Sequence, residues 1–503
     1  MTERSSYRQI LRSSSIIGGA SVINILIGLV RTKVVAMVLG PAGVGLIGLL
    51  QSLMATAATV SALGLGTVGT RQISEAAGRG DLQAISDARR ALFWGTLLLA
   101  TLGGLLFWGL RHILATRVLN DPLLVGVVGW LGLGVALTVI TGTQGALLRG
   151  LRRIGDIARI SVYAALLSSA LGVSALLAWG EQGLLIFLLS APYASFVLGH
   201  WYVAKLPRVE HPTTLRAMTE QWKTLARLGA AFMVTGVVVT LGHLMVRTLV
   251  QRQLGAEALG YFQASWAIAM TYIGFVLSAM GTDFYPRLSA AMHDHEAANR
   301  LVNEQSEVAL LLAGPIFLAM LGLAPWVIEL LYSSAFGDAV VVLRWQVLGD
   351  VLKIVSWPLG IIILAAGDSR TYMLTESLAI TAFVGLTWIG LPLMGIEATG
   401  VAFLVMYVLY LPLVYWLAWR RTGFSWKRDV LVQFSSLLLL ALVVFSVAAW
   451  SKWLGAGLGV TAAVGLGMHA LARLGHMANL GGTLGRLATG SRKLMMKAGM
   501  WHE

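Results

Sequence analysis

The feature that constrains this chain most is a series of apolar runs, each about twenty residues long, recurring along its length. They lie near residues 13–38, 45–70, 91–110, 123–148, 159–179 and 184–204. After a basic stretch they resume near 228–250, 259–284, 308–332, 340–365, 372–393 and 399–419, with two more near 431–450 and 455–472. A helix of about 20 apolar residues crosses a bilayer. The expected fold is an all-α polytopic membrane protein of about fourteen transmembrane helices. Only 12% of residues are charged, about half the share in soluble proteins, and mean hydropathy is +0.78. Arg4, Arg8 and Arg12 before the first run resemble a signal peptide. The run continues too far, with no small-residue cleavage site, so it reads as a retained span. The absence of cysteine excludes disulfides, thiolate chemistry and cysteine-ligated metals.

A net charge of +14 points to nucleic acid in a soluble protein. Here the distribution gives another explanation. With both termini cytoplasmic, the inside segments hold Arg71, Arg79, Arg89 and Arg90, then Arg149, Arg152, Arg153 and Arg159. They also hold Lys205, Arg208, Arg216, Lys223 and Arg227, then Arg420, Arg421, Lys427 and Arg428, and a tail with Arg486, Arg492, Lys493 and Lys497. The outside segments hold Arg111, Arg117, Arg252 and Lys452. This is the positive-inside bias of a multi-pass protein, and no nucleic acid is expected. The basic tail suits anionic headgroups or a disordered end.

The chain matches itself at an offset of 215 residues. Gly40 meets Gly255, Gly45 meets Gly260, Gly66-Thr67 meets Gly281-Thr282, Trp130 meets Trp345, and Gly180 meets Gly395. The offset spans six helices, so the two copies run in the same sense, as in transporters whose two lobes enclose a central site. The expected organisation is an N-lobe at 1–204, a cytoplasmic linker at 205–227 and a C-lobe at 228–420. Two additional helices and a basic tail fill 421–503. The lobes are pseudo-symmetric six-helix sets around a central cavity.

Ionisable side chains within spans are costly and usually face a cavity or a partner. Arg31, Lys33, Arg247, Arg344 and Lys353 fall in spans. Arg31 either snorkels to the outer headgroups or is a cavity cation, and Arg247 sits one position from the matching place. In "RWQVLGDVLK" at 344–353, Asp350 comes about 15 Å deep at 1.5 Å per residue. Gln346, Asp350, Lys353 and Trp357 share one helical face, while the first copy has Val135 and Thr138 at the places of Asp350 and Lys353. That asymmetry favours function over a pair that only docks the helix. Asp283, Glu376 and Glu329 fall near span ends and read as interfacial, with Asp283 kept as a second ion-coupling candidate. Asn24 and His243 read as packed polar residues bonding neighbouring helices.

Two motifs point elsewhere on a first pass. "GVGLIG" at 43–48 spells a dinucleotide fingerprint, yet it follows a membrane helix and the next 20 residues hold no acid. Its glycines read as a turn and a close-packed helix start. "HDHE" at 293–296 lacks helical zinc spacing and reads as a solvated cluster. No Walker sequence or Ser/His/Asp set is evident. The protein is expected not to be an enzyme and to need no cofactor or metal.

"LGPAGVGL" after a helix carrying Arg31, and "WQVLGDVLK" at 345–353, resemble the Wzx-type polysaccharide flippases of the multidrug/oligosaccharidyl-lipid/polysaccharide superfamily. The resemblance is strongest to flippases of enterobacterial common antigen and O-antigen units. It covers about residues 10–420. It implies a substrate of undecaprenyl-pyrophosphate-linked oligosaccharide, moved from the cytoplasmic to the periplasmic leaflet of a bacterial inner membrane. The family's cavity cations carry over to Arg31 and Arg247, and Lys33 and Lys353 add positive charge. Asp350 is the first candidate for ion coupling. Partners implied are membrane lipids and the polysaccharide polymerase and chain-length proteins, with the protein itself a monomer. A lipid II flippase or drug/cation antiporter shares the architecture, but an organic-cation antiporter prefers an acidic cavity. A polyprenyl-linked glycosyltransferase or polymerase needs a larger outside loop than these short ones.

Overall fold

The computed structural model describes the backbone of residues 3–206 and 215–476, with side chains described within 18–206 and 233–473 apart from 235, 279, 282 and 283. All regular elements among these residues are helical. Hydrocarbon imposes this, because each backbone N–H and C=O there must be bonded within its own segment. The helices are α1 (Glu3–Ala62), α2 (Leu65–Arg79), α3 (Leu82–Gly109), one-turn α4 (Arg111–Ile113), α5 (Val125–Gly150), α6 (Ile154–Trp179) and α7 (Leu184–Ala204). They continue with α8 (Leu215–Ala291), α9 (His295–Leu331), α10 (Ala339–Ala365), α11 (Ser369–Met394), α12 (Glu397–Thr422), α13 (Arg428–Trp450) and α14 (Lys452–His476).

Among the described residues ten stretches are long and apolar enough to cross a membrane. Two of them, Gly18–Ala62 and Ile154–Ala204, have 45 and 51 residues and room for two crossings each. With room for two more in the 77-residue α8, the described residues accommodate fourteen crossings. Outward faces carry large apolar side chains, including Trp94, Leu106, Trp388 and Leu393. Such a surface belongs in lipid, and the chain is an integral membrane protein.

The backbone itself repeats. Helices α6 and α11 are each 26 residues long and begin 215 residues apart, at Ile154 and Ser369. Each ends at a glycine of similar conformation, Gly180 (φ 55°, ψ −130°) and Gly395 (φ 61°, ψ −142°). The turn before each also matches, with Arg152 at φ 55° and Gly367 at φ 78°. Helices α1 and α8 each break at one residue, Gly40 (φ 62°, ψ −168°) and Gly255 (φ 90°, ψ 179°). That region of conformational space is essentially restricted to glycine. The expected outer turn is thus a single-residue kink.

The chain packs as two compact units, Met1–Gly260 with Leu331–Ser333, and Tyr261–Leu330 with Ser334–Glu503. In the first, α3 packs on α5 and α6 on α7. The turns after the two kinks meet there. A Cβ on Gly45 would lie 2.6 Å from the carbonyl oxygen of Ala256, and one on Gly260 would overlap Pro41. Gly45 of "GVGLIG" therefore serves close packing.

In the second unit α10 is buried along most of its length. Leu343, Val347, Val351, Ile354, Leu359 and Ile362 have no exposed surface. Helices α13 and α14 are fastened at both ends. The Arg344 guanidinium of α10 donates to the carbonyls of Leu321 on α9 (3.2 Å) and Ala448 in the last turn of α13 (3.0 Å). At the other end, Arg473 of α14 bonds Glu307 of α9 (3.0 Å) and Asp429 of α13 (2.6 Å).

Candidate functional site

The polar stripe of α10 lies inside the second unit. Asp350 is eleven residues past the start of α10 and wholly buried. Its Oδ2 accepts from the Tyr272 hydroxyl of α8 at 2.6 Å. One turn on, the Lys353 ammonium lies 4.0 Å from Asp350 Oδ1. The ammonium also lies 3.8 Å from Met270 Sδ, and over the rings of Phe403 at 5.7 Å and Tyr407 at 6.0 Å. Aromatic faces and a thioether attract a cation without neutralising a carboxylate. One turn before Asp350, Gln346 is wholly buried and neither its Oε1 nor its Nε2 has a hydrogen-bond partner. Buried amides are rarely left so. Trp357 closes the stripe, packed on Phe284 (5.9 Å between ring centroids) and facing Gly281 of α8.

Glu376 differs from its expected interfacial place. It stands two turns into α11, half-buried, and accepts from the Tyr410 hydroxyl of α12 at 2.8 Å. It lies within electrostatic reach of Lys353. Tyr272 was missed and Glu376 was read only as interfacial, because each joins the group from another helix. Their matches in the first copy, Ala57 and Ser161, carry no charge, so the repeat gives no signal.

In the first unit Arg31 stacks its guanidinium 4.1 Å from the Phe187 ring centroid, and its buried Nη2 has no hydrogen-bond partner. Lys33 is half-buried on the same helix. Arg247 is buried and donates to the His243 carbonyl of its own helix at 3.1 Å. The two arginines are thus held by different partners. Asn24 donates to Ser161 at 2.6 Å, the interhelical bond expected of it.

The remaining residues resolve into architecture. Arg344 is a clamp between helices, and Glu329 is exposed near the end of α9. The side chain of Asp283 lies outside the described residues, as does the basic tail. In "HDHE", Asp294 accepts from the backbone N–H groups of Glu296 (3.0 Å) and Ala297 (3.1 Å), capping α9. Those bonds, that of Ala297 first, hold its carboxyl below the usual range.

The sequence match that decides the family spans residues 34–341, more than half of the chain, against the model described as "Polysaccharide biosynthesis protein". The chain belongs to this family. It is 24% identical over 423 residues to the lipid III flippase of Escherichia coli (strain K12), covering 80% of this chain and 97% of that one. The lipid III flippase of Shigella flexneri matches equally. Solved structures share the fold. The inward closed conformation of the lipid II flippase MurJ aligns at TM-score 0.70 with 12% identity, covering 91% of this chain and 99% of that one. An inward-facing multidrug resistance MATE transporter of the MOP superfamily aligns at TM-score 0.63 with 18% identity, over 80% and 94% of the two chains.

Proposed function

We propose that this protein is a flippase that carries a polyprenyl-pyrophosphate-linked oligosaccharide from the cytoplasmic to the periplasmic leaflet of the bacterial inner membrane. The observation that carries this reading is its alignment with a lipid III flippase over 97% of that protein's length. A charged diphosphate bearing sugars does not cross about 30 Å of hydrocarbon unaided. The two repeats, 1–204 and 228–420 joined by 205–227, are the halves of an alternating-access cycle in this reading, with both termini cytoplasmic. Arg31, Lys33 and Arg247 attract the diphosphate. The buried, unpartnered Nη2 of Arg31 supports that role, because a guanidinium fork pairs with phosphate oxygens. Lys353 adds positive charge in the second unit, and Asp350 couples transport to a cation gradient. The protein acts as a monomer that hands its product to polymerase and chain-length proteins.

Complementation of strains that each lack one flippase tests this, with the accumulated lipid-linked intermediate identified in each. Clearance of that intermediate is the expected outcome, and failure in every strain would remove the proposal. The same panel decides a second reading, a lipid II substrate, which the TM-score of 0.70 to MurJ brings into range. Arg31→Ala combined with Lys353→Ala is expected to abolish clearance. Full activity in that double variant would exclude the cationic role. Asp350→Asn in proteoliposomes is expected to remove the dependence of transport on pH or sodium, and an intact dependence would withdraw Asp350.

A further inference from the structure

We infer that Asn24, Gly28 and Arg31 of α1 form a subsite for the sugar next to the diphosphate. Arg31 holds a phosphate oxygen, Asn24 accepts from a sugar hydroxyl or amide N–H, and the gap at Gly28 admits the ring. This deepens the diphosphate role given to Arg31 above and rests on it.

Asn24, Gly28 and Arg31 stand at i, i+4 and i+7, on one face of a helix. The exposed apolar side chains of this stretch, Val22, Leu26, Val30 and Met37, lie on the opposite face. The polar face is therefore the one turned toward the bundle. Its contacts agree: the Asn24 amide donates to Ser161 of α6 at 2.6 Å, and the Arg31 guanidinium lies on Phe187 of α7. All three helices belong to the first unit. Between the two side chains there is room, because a Cβ on Gly28 would meet nothing within 4 Å. A long helical side chain ordinarily leans back over the turn before its own Cα, which for Arg31 is the turn of Gly28. Arg31 is turned onto Phe187 instead, and that place stays open.

The two ends of the gap lack opposite things. Arg31 Nη2 is a buried donor without a hydrogen-bond partner, and Asn24 Oδ1 is a buried acceptor without one. Buried polar atoms are rarely left so. Docking on α6 uses Nδ2 alone, so helix packing leaves Oδ1 unaccounted for. Ionised phosphate oxygens accept, which satisfies the guanidinium, but they have no proton to offer Asn24. A sugar hydroxyl or acetamido N–H has one. Seven residues separate the two side chains, about 10 Å along the axis, and one sugar ring with its phosphate fits between them. A ligand with acceptors at one end and donors at the other is a phosphorylated sugar. The second copy shows that packing requires none of this. At the spacing from Arg31 to Arg247, Gly28 becomes Leu244, which is buried. Asn24 becomes Thr240, whose hydroxyl is bonded to Gly236 of its own helix at 2.9 Å.

The test compares binding of two kinds of probe to the purified full chain in lipid nanodiscs. One is farnesyl diphosphate, and the other is the same diphosphate bearing one glucose or one N-acetylglucosamine. The wild type is expected to bind at least one of the sugar-bearing probes more tightly than the bare one. Asn24→Ala is expected to remove that preference, a loss of about 3–10-fold for one neutral hydrogen bond, and to leave the bare probe unaffected. Arg31→Ala is expected to weaken all probes alike. Gly28→Leu fills the gap as Leu244 does, and is expected to bring the sugar-bearing probe down to the bare one. Leucine suits a helix better than glycine, so its thermal midpoint is not expected to fall, which separates a closed site from a damaged fold. Ser161→Ala removes the interhelical bond but keeps the acceptor, and is expected to retain the preference. A wild type without preference, a preference that survives Asn24→Ala or Gly28→Leu, or an equal loss in Ser161→Ala overturns the inference. The diphosphate reading fails separately, through bare-probe binding that ignores Arg31→Ala or through complementation that fails in every strain.

Discussion

Asp350 depends on a single hydroxyl for its one short hydrogen bond, from Tyr272 at 2.6 Å. Tyr272→Phe removes the donor and leaves a buried carboxylate oxygen unpartnered, at a cost of about 1–3 kcal/mol. The expected outcome is a lower thermal midpoint in detergent, and an unchanged midpoint would argue against this bond. A second carboxylate acts at the membrane surface. Asp368 caps α11 by accepting from the Thr371 hydroxyl (2.7 Å) and backbone N–H (3.0 Å), and pairs with Arg421. Those contacts, the Thr371 hydroxyl first, hold its pKa at about 2, below the ordinary 3.8. A depressed carboxyl stabilises the fold above its unfolded pKa and loses that contribution as pH falls toward the folded one. Lower protection of the Thr371 amide, its exchange taken relative to the intrinsic rate at the same pH, is therefore expected as pH falls from 3.8 toward 2, while Asp368→Asn makes that protection insensitive to pH over this range. The sequence disclosed Asp350 and Lys353 because they interrupt an apolar run on one helical face. It concealed Tyr272, and the contact of Glu376 with Tyr410, because these arise only where helices distant in sequence meet.

Elements were legible where hydropathy alone decides them, and the fourteen crossings follow from run length. Continuity between runs was not legible, because a helix that bends at one residue has no loop composition. Gly40 and Gly255 carry that bend in both copies. Gly40→Ala and Gly255→Ala force a side chain into a backbone region reserved for glycine, costing roughly 1–3 kcal/mol each. Lower thermal midpoints of similar size in both variants are expected, and a neutral result at either site would mean that the bend is not fixed there. Gly45→Val acts differently, through the approach of Ala256 rather than through φ. It is expected to reduce folded yield more than Gly40→Ala.

For the whole molecule, the question is how α13 and α14 belong to the second unit. Deleting residues 428–503 leaves Arg344 without the Ala448 carbonyl and Glu307 without Arg473. Losing one hydrogen bond to a buried charged group costs about 1.5–3 kcal/mol. The truncated chain is expected to be markedly less stable, and Arg344→Leu is expected to recover part of its midpoint while destabilising the full chain. A truncated chain that gains nothing from Arg344→Leu would discard the clamp. The clamp also has a consequence for biogenesis. The carbonyl that Arg344 needs is 104 residues further along the chain. During synthesis the Leu321 carbonyl of α9 precedes α10 and is in place for the guanidinium, while the second bond awaits the insertion of α13. The last helices made thereby complete the anchoring of α10, whose second carbonyl partner is absent from any chain that ends before residue 448.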